Sequence, residues 1–244
     1  MIKSSLLSIG NKIKRNSKIV LYVRLKNLFS DNVNYKVQTE NLLNMVREFL
    51  QPSEIYIPTF SYSFTKSKFF DISSTPSKVG RFSEEIRKSF NNKKYRTHDP
   101  VFSVIETEKG LFKDNKFNID AFGPFSVWKY LNDHFHYIIN INLEIPIVST
   151  QLHYLEYENK VEYRFTKYFE GTVKGWNKMK HNFQYKYYVR DLEKDSLWNR
   201  KKLYEICKND KLLLENGPIK IYDGFKLSNL IREKLLEDKN FLIT

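Results

Sequence analysis

The chain has 244 residues, enough to bury a sizeable core without disulfides, and its single cysteine, Cys207, cannot form an internal bridge. With 41 Lys and Arg against 28 Asp and Glu, the formal net charge is +13, so the surface attracts anions such as nucleic acid, acidic headgroups or a phosphorylated small molecule. No apolar run approaches the roughly 20 residues needed to span a bilayer, and no basic, apolar leader opens the sequence, so a protein of the reducing cytoplasm is expected.

Strand and helix patterns alternate along the chain. "KIVLYVRL" (18 to 25) and "EIYIPTF" (54 to 60) are rich in β-branched and aromatic residues and read as buried strands. Between them Leu42, Leu43, Val46, Phe49 and Leu50 keep helical spacing up to Pro52, which completes a β-α-β unit. In "TPSKVGRFSEEIRKSF" Val79, Phe82, Ile86 and Phe90 form one helical stripe, with Ser77 as the expected cap. A strand follows at 101 to 107, a helix from Ser126, a strand at 137 to 145, and a helix capped by Ser149 or Thr150. The last third reads as a strand pair, a helix near 196 to 208, a short strand at "IKIY" and a final helix from Lys226 to Glu237. No repeat or low-complexity linker interrupts this order, so one α/β domain over 1–244 is expected.

If 150 to 159 is helical, His153 and Glu156 stand three positions apart on one face. A carboxylate there holds one imidazole nitrogen protonated, leaves the other as an acceptor and raises the basicity of the ring. That is a general-base arrangement, although a merely structural pair has the same spacing. His134 and His136 flank Phe135 with no helical metal spacing and read as a solvated loop. No CxxC, HExxH or glycine-rich phosphate loop occurs, so no metal is expected. Tyr and Phe fall mostly within strand patterns, where core packing accounts for them better than base stacking. A nucleic-acid partner rests on charge alone.

A wider set of segments occurs in order: "IYIPTFSYSF", "DISSTPSKVGRFSEEIRKSF", "YRTHDPVFSV", "FGPFSVWKYL" and "TQLHYLEYENKVEYRFTKYFEGTV". Over about Ile55 to Val173 the chain resembles the antibiotic acetyltransferase family, whose best-known members are aminoglycoside 3-N-acetyltransferases. The resemblance implies an α/β/α layered fold with a mixed sheet, acetyl-CoA or another acyl-CoA as co-substrate, and an amino-sugar amine as acceptor. It carries the catalytic histidine onto His153, with Glu156 as its companion. The family's "HP..S" element falls on His98 and Ser103, although Asp99 intrudes before Pro100, and Thr59 of "PTF" falls at a strand end facing the cleft. Ser103 or backbone amides are the candidate donors to the oxyanion. Cys207 lies outside the family-like segment, so direct transfer is expected rather than an acyl-enzyme.

The family's glycine-rich approach to the coenzyme is missing: "LYVRLKNLFSDNVNYKVQTENLL" has no glycine, so either basic side chains such as Arg24, Lys26 and Lys36 replace it, or the coenzyme mode differs, or acetyl-CoA is not the donor. Asp71 reads either as a contact to a cationic acceptor or as an exposed loop carboxylate. The basic residues Arg96, Lys160, Arg164 and Lys167 surround the proposed site and suit a nucleotide-linked or surface-polysaccharide amino sugar better than a polycation, unless they are simply solvated. The expected partners are therefore an amino sugar and acyl-CoA, without nucleic acid or a membrane span, and with a homo-oligomer left open. An aminoglycoside-modifying enzyme and a noncatalytic anion-binding relative are the alternatives.

Overall fold

The apolar run at 18 to 25 forms strand β1 (Lys18–Val23), and its residues divide between two cores: Ile19, Leu21 and Val23 join one, Val20 the other. Side chains on a strand alternate between faces, so β1 lies in a sheet covered on both sides. In this computed structural model, which describes residues 2–29, 34–109, 119–144, 147 and 149–243, helix α1 (Ile2–Gly10) precedes that strand. Helix α2 (Tyr35–Leu50) and β2 (Glu54–Pro58) follow it. Asn34 starts α2 by accepting from the Lys36 N–H at 2.8 Å, and Gln51, left-handed at φ 45°, ends it before Pro52. The β-α-β unit is thus present, with Lys18 in register with Glu54 in a parallel pair.

The chain continues through α3 (Phe64–Ser67), β3 (Phe69–Asp71), α4 (Arg81–Ser89), β4 (Val104–Glu106), α5 (Val127–Asn132), β5 (His136–Ile141) and α6 (Gln151–Glu158). Then come β6 (Arg164–Lys174), β7 (Lys180–Arg190), α7 (Arg200–Asn209), β8 (Leu213–Asn216), β9 (Ile219–Asp223) and α8 (Gly224–Glu237). The main sheet has the order β4-β2-β1-β5-β9-β8, parallel at its centre and antiparallel outside; β3, β6 and β7 form a smaller sheet. One face of the main sheet packs Ile55, Ile57, Ile139 and Ile221 against α1, α2 and α4. The other packs Tyr56, Ile138 and Tyr222 against α5 to α8 and, through Val173 and Tyr185, the smaller sheet. This is the expected layered α/β/α arrangement around a mixed sheet.

Several boundaries differ from the sequence pattern for local reasons. Helix α4 starts at Arg81 because Gly80 takes φ 114°, so Val79 lies outside the helix, and Ser77 does not cap it. The Ser77 N–H instead donates to Glu84 Oε2 at 2.8 Å. Strand β4 loses Val101 and Phe102 to a turn in which both N–H groups donate to Asp99 Oδ1, at 2.9 and 2.7 Å. Strand β5 stops at Ile141 because Asn142 is left-handed at φ 57°. Its side chain donates to the carbonyls of Arg24 and Lys26. Helix α1 was not anticipated; it packs Leu6 and Ile9 with Ile219 and Ile221 of β9, and Ser5 Oγ donates to Asn216 Oδ1 of β8 at 3.3 Å.

The topology opens a crevice where the site lies. β1 is flanked by β2 on one side and β5 on the other, both parallel to it, so the carboxyl ends of three strands meet at one edge. Open α/β sheets bind ligands at such points.

Candidate active site

At that edge lies a cavity of about 240 Å³. Tyr22 and Val23 reach it from the end of β1, Pro58 and Phe60 from the end of β2, and Ser149, Thr150 and His153 from the start of α6. Its wall is completed by Tyr62, Trp198 and Arg200, among others. The Tyr22 hydroxyl accepts from the Thr150 N–H at 2.9 Å and so ties β1 to the first turn of α6. Tyr62 is left-handed at φ 50°, a conformation that costs a bulky residue on the order of 1–3 kcal/mol. The edge-on rings of Phe60 and Phe102, at 6.0 and 6.1 Å, hold it there.

The helix places His153 and Glu156 side by side, with Nδ1 and Oε2 2.6 Å apart. The other carboxylate oxygen, Oε1, accepts from Trp198 Nε1 at 2.6 Å. Arg164 Nε approaches Oε2 to 2.7 Å, an ion pair without hydrogen-bond alignment. Glu156 has no exposed side-chain surface, whereas His153 keeps 27% of its own. Trp198 lies against the imidazole with ring centroids 4.3 Å apart, and Arg200 rests on the same indole, its guanidinium carbon 5.2 Å from the centroid.

These contacts decide the charge states. Burial works against the Glu156 carboxylate, but His153, Arg164 and Trp198 outweigh it and hold the group ionised. His153 is shifted below the usual imidazole range, first by burial and then by the Arg164 guanidinium, against the upward pull of Glu156. A neutral imidazole whose Nδ1–H is given to a carboxylate carries its lone pair on Nε2. The arrangement can accept a proton near neutral pH and can stabilise the imidazolium that results.

A second cavity, of about 610 Å³, opens beyond β1 at the start of α2. Lys26, Lys36 and Arg81 line it together with Glu85, which already lies 3.8 Å from Arg81 and 3.3 Å from Lys88. The cationic excess suits a polyphosphate.

The architecture matches solved structures from end to end. The aminoglycoside acetyltransferase AAC(3)-IIb superposes with a TM-score of 0.72 at 10% identity, over 97% of each chain. AAC-IIIb in its binary complex with CoASH gives 0.73 at 10% identity, over 96% of each chain. Sisomicin-bound AAC-VIa gives 0.71 at 15% identity, over 96% of this chain and 97% of that one. The fold is that of the aminoglycoside 3-N-acetyltransferases. No family model and no curated protein matches the chain by sequence.

Within this acetyltransferase fold the residues singled out in the sequence fall into different places. Thr59, Arg96 and Ser103 have no more than 1% of their surface exposed and sit behind Pro58 and Phe60, bonded to one another. Arg96 donates to Ser103 Oγ at 3.0 Å and to the carbonyls of Thr59, Ile72 and Thr75 at 2.8, 3.2 and 2.6 Å. The Ser103 hydroxyl in turn donates to the Thr59 carbonyl at 2.8 Å. Thr59 therefore does not face the cleft, and neither Ser103 nor Arg96 presents a group to coenzyme, oxyanion or acceptor in this conformation. They brace the loop behind the cavity. Burial brings Arg96 down to about 9.

Asp71 is not an exposed loop carboxylate but is buried, accepting from the N–H and hydroxyl of Ser73 at 2.9 and 2.6 Å and from Lys174 Nζ at 2.9 Å. Burial alone would raise its carboxyl, yet the bonds from Lys174 and Ser73 win and bring it to about 2. Arg24 pairs with Glu144 and lies outside both cavity linings, whereas Lys26 and Lys36 line the larger one. Arg164 is the internal partner of Glu156, not a free cation. Lys167 is exposed on β6 with its ammonium 5.5 Å from the Phe169 ring, and His98 is half-buried; neither lines the cavity.

Sequence reasoning missed Trp198 and Arg200. Their only signal was a Trp-Asn-Arg step at the start of α7, where Asn199 accepts from the Lys202 N–H as the cap. His136 is also corrected: it is buried in β5 rather than in a solvated loop, with ring nitrogens 2.7 Å from the His134 carbonyl and 2.5 Å from Gln151 Nε2. Cys207 is fully buried, and burial pushes its thiol up to about 12, which leaves an inert side chain. Among the described residues no group of His, Cys, Asp and Glu is placed to hold a metal ion, and no helix is long and apolar enough to cross a membrane.

Proposed function

We propose that this chain is a CoA-dependent N-acyltransferase that moves an acetyl or other acyl group from acyl-CoA to the amine of an amino sugar. His153 is the general base, and Glu156 orients it. The observation that carries the reading is the His153–Glu156 pair at the wall of the smaller cavity, with Nδ1 engaged and Nε2 left for a proton. The shared fold with a CoASH-bound structure supports the choice of donor. Lys26, Lys36 and Arg81 are the residues suited to the coenzyme phosphates, in place of glycine-framed backbone amides. Acyl-CoA would supply the activated thioester carbonyl.

The residues of the chain manage the proton. A sugar ammonium first loses its excess proton to solvent, and the neutral amine then forms the C–N bond. The second proton passes from nitrogen to His153 Nε2 and from there to the sulfur as the C–S bond breaks. A positioned base of this kind contributes on the order of 10² to 10⁴ in rate. Transfer is direct, since Cys207 is buried away from solvent.

For the acceptor, the reading is a nucleotide-linked or surface-polysaccharide amino sugar. Among the described residues the cavity lining includes no carboxylate, whereas a polycation needs several. The sisomicin-bound relative favours the rival reading, an aminoglycoside acceptor. Release of CoA from acetyl-CoA, measured with amino sugars, nucleotide-linked amino sugars and aminoglycosides side by side, tests both. Preferred turnover of the nucleotide-linked class, weakening as ionic strength rises, is expected. Faster, saturable acylation of an aminoglycoside would restore the antibiotic-modifying reading, and no CoA release with any amine would remove the enzyme.

A further inference from the structure

Among the described residues Arg200 is a cation without a counter-ion. It lines the smaller cavity and is half-buried, yet it pairs with no carboxylate among the described residues. Its contacts are the Ile147 carbonyl, to which Nη1 donates, and the indole of Trp198. Burial lowers its pKa, and no nearby acidic group offsets the shift. Other arginines behave differently: Arg164 is matched by Glu156, Arg87 by Glu84 and Arg232 by Glu158. An arginine fork that is partly desolvated, fixed against an aromatic ring and open to a cavity is arranged to receive an oxyanion in two-pronged fashion.

Its position limits where that oxyanion sits. His153 and Arg200 rest on the same indole, at 4.3 and 5.2 Å from its centroid, so the two are separated by no more than those distances together. An amine delivered to His153 thus has an anion-binding group within the span of one amino sugar and an anionic substituent attached to it. We infer that Arg200 is an anion-recognition residue for the acceptor, which is an amino sugar bearing a carboxylate or phosphate on the ring of the reacting amine or linked directly to it. The inference rests on the N-acyltransferase reading above and sharpens its substrate class. A bare polycation would be repelled by Arg200, and a distant charge would not reach it.

The same oxyanion chemistry could come from the coenzyme, so the test separates the two sources. Calorimetric titration of the full chain, with desulfo-CoA present and no turnover, uses three probes: glucosamine 6-phosphate, a uridine-diphosphate-linked amino sugar and an amino uronic acid, each against glucosamine. At least one anionic probe is expected to bind more tightly than glucosamine. Arg200→Gln should weaken that probe by on the order of ten- to a hundredfold, and Arg200→Lys, which keeps the charge but loses the fork, by less. The KM for acetyl-CoA should stay within about twofold, and the thermal midpoint of the Lys variant within about 2 °C of wild type. No preference for an anionic probe, or equal binding to wild type and Arg200→Gln, would overturn the inference. So would a loss that appears in the KM for acetyl-CoA, or in kcat for every acceptor alike. Arg200-dependent binding without CoA release from any acceptor would keep this site and sink the enzymatic reading instead.

Discussion

Trp198 donates its indole N–H to Glu156 at 2.6 Å, on the carboxylate oxygen that His153 does not use. The indole therefore holds both members of the pair, one by its nitrogen and the other by its face. Trp198→Phe keeps the face and removes the donor. The carboxylate, relieved of one partner, interacts more strongly with the imidazolium, so the acidic limb of kcat/KM should move to higher pH and kcat should fall by about tenfold. An unchanged pH profile with only a lower melting temperature would make Trp198 a packing residue.

His153→Ala should lower turnover by at least about a hundredfold while the far-ultraviolet dichroism stays native. In the wild type, activity should rise with pH through a value below the usual imidazole 6.5, because burial and Arg164 depress the ring.

Glu156→Gln and Arg164→Met should move that limb in opposite directions. Removing the carboxylate takes away the charge that favours the imidazolium and shifts the limb to lower pH; removing the guanidinium shifts it to higher pH. Each single change also leaves a buried charge unmatched, at a cost of about 3 kcal/mol, which the double variant should recover in urea denaturation.

His136 and His153 are both held neutral by burial, with pKa values below 6.5 in the folded chain. The unfolded chain binds more protons between those values and 6.5, so stability should rise with pH across that window and be lost as pH falls through it. Urea midpoints that are equal at about pH 5.5 and about pH 7.5 would contradict this.

Asp71 gives the opposite window. Its carboxyl lies at about 2 in the fold against an ordinary value near 3.8, a difference worth about 2 kcal/mol that is complete above the ordinary value and disappears as pH falls toward 2. Asp71→Asn should show that loss at neutral pH, in the same denaturation assay.

The β-α-β unit and the layering were legible because apolar residues repeat at the periods of strand and helix: Ile19 and Leu21 against Val20, or Leu42, Val46 and Leu50 along α2. The His153–Glu156 contact was legible for the same reason, since helical spacing alone brings the two together. What surrounds the pair was not. Trp198 reaches Glu156 across 42 residues, and no local period records such a meeting. Arg96, Asp71 and Arg164 looked like surface charge because their burial depends on partners elsewhere in the fold: carbonyls for Arg96, Lys174 and Ser73 for Asp71, and Glu156 for Arg164. Tyr62 and Gly80 owe their roles to backbone angles that composition does not reveal.

The packing of α1 on the last strands has a consequence for how the chain is made. Leu6 and Ile9 are among the earliest of these residues to leave the ribosome, yet the isoleucines of β9 that cover them, Ile219 and Ile221, are among the last. Helix α2 can shelter part of that surface once its own residues have emerged, with Gly10 close enough to Phe49 that a methyl group there would strike its carbonyl. The chain from Ile9 to Ile219 must nevertheless be made before helix α1 finds its complete seat. During that interval the apolar stripe of α1, Leu6 and Ile9, lacks the part of its cover that β9 supplies.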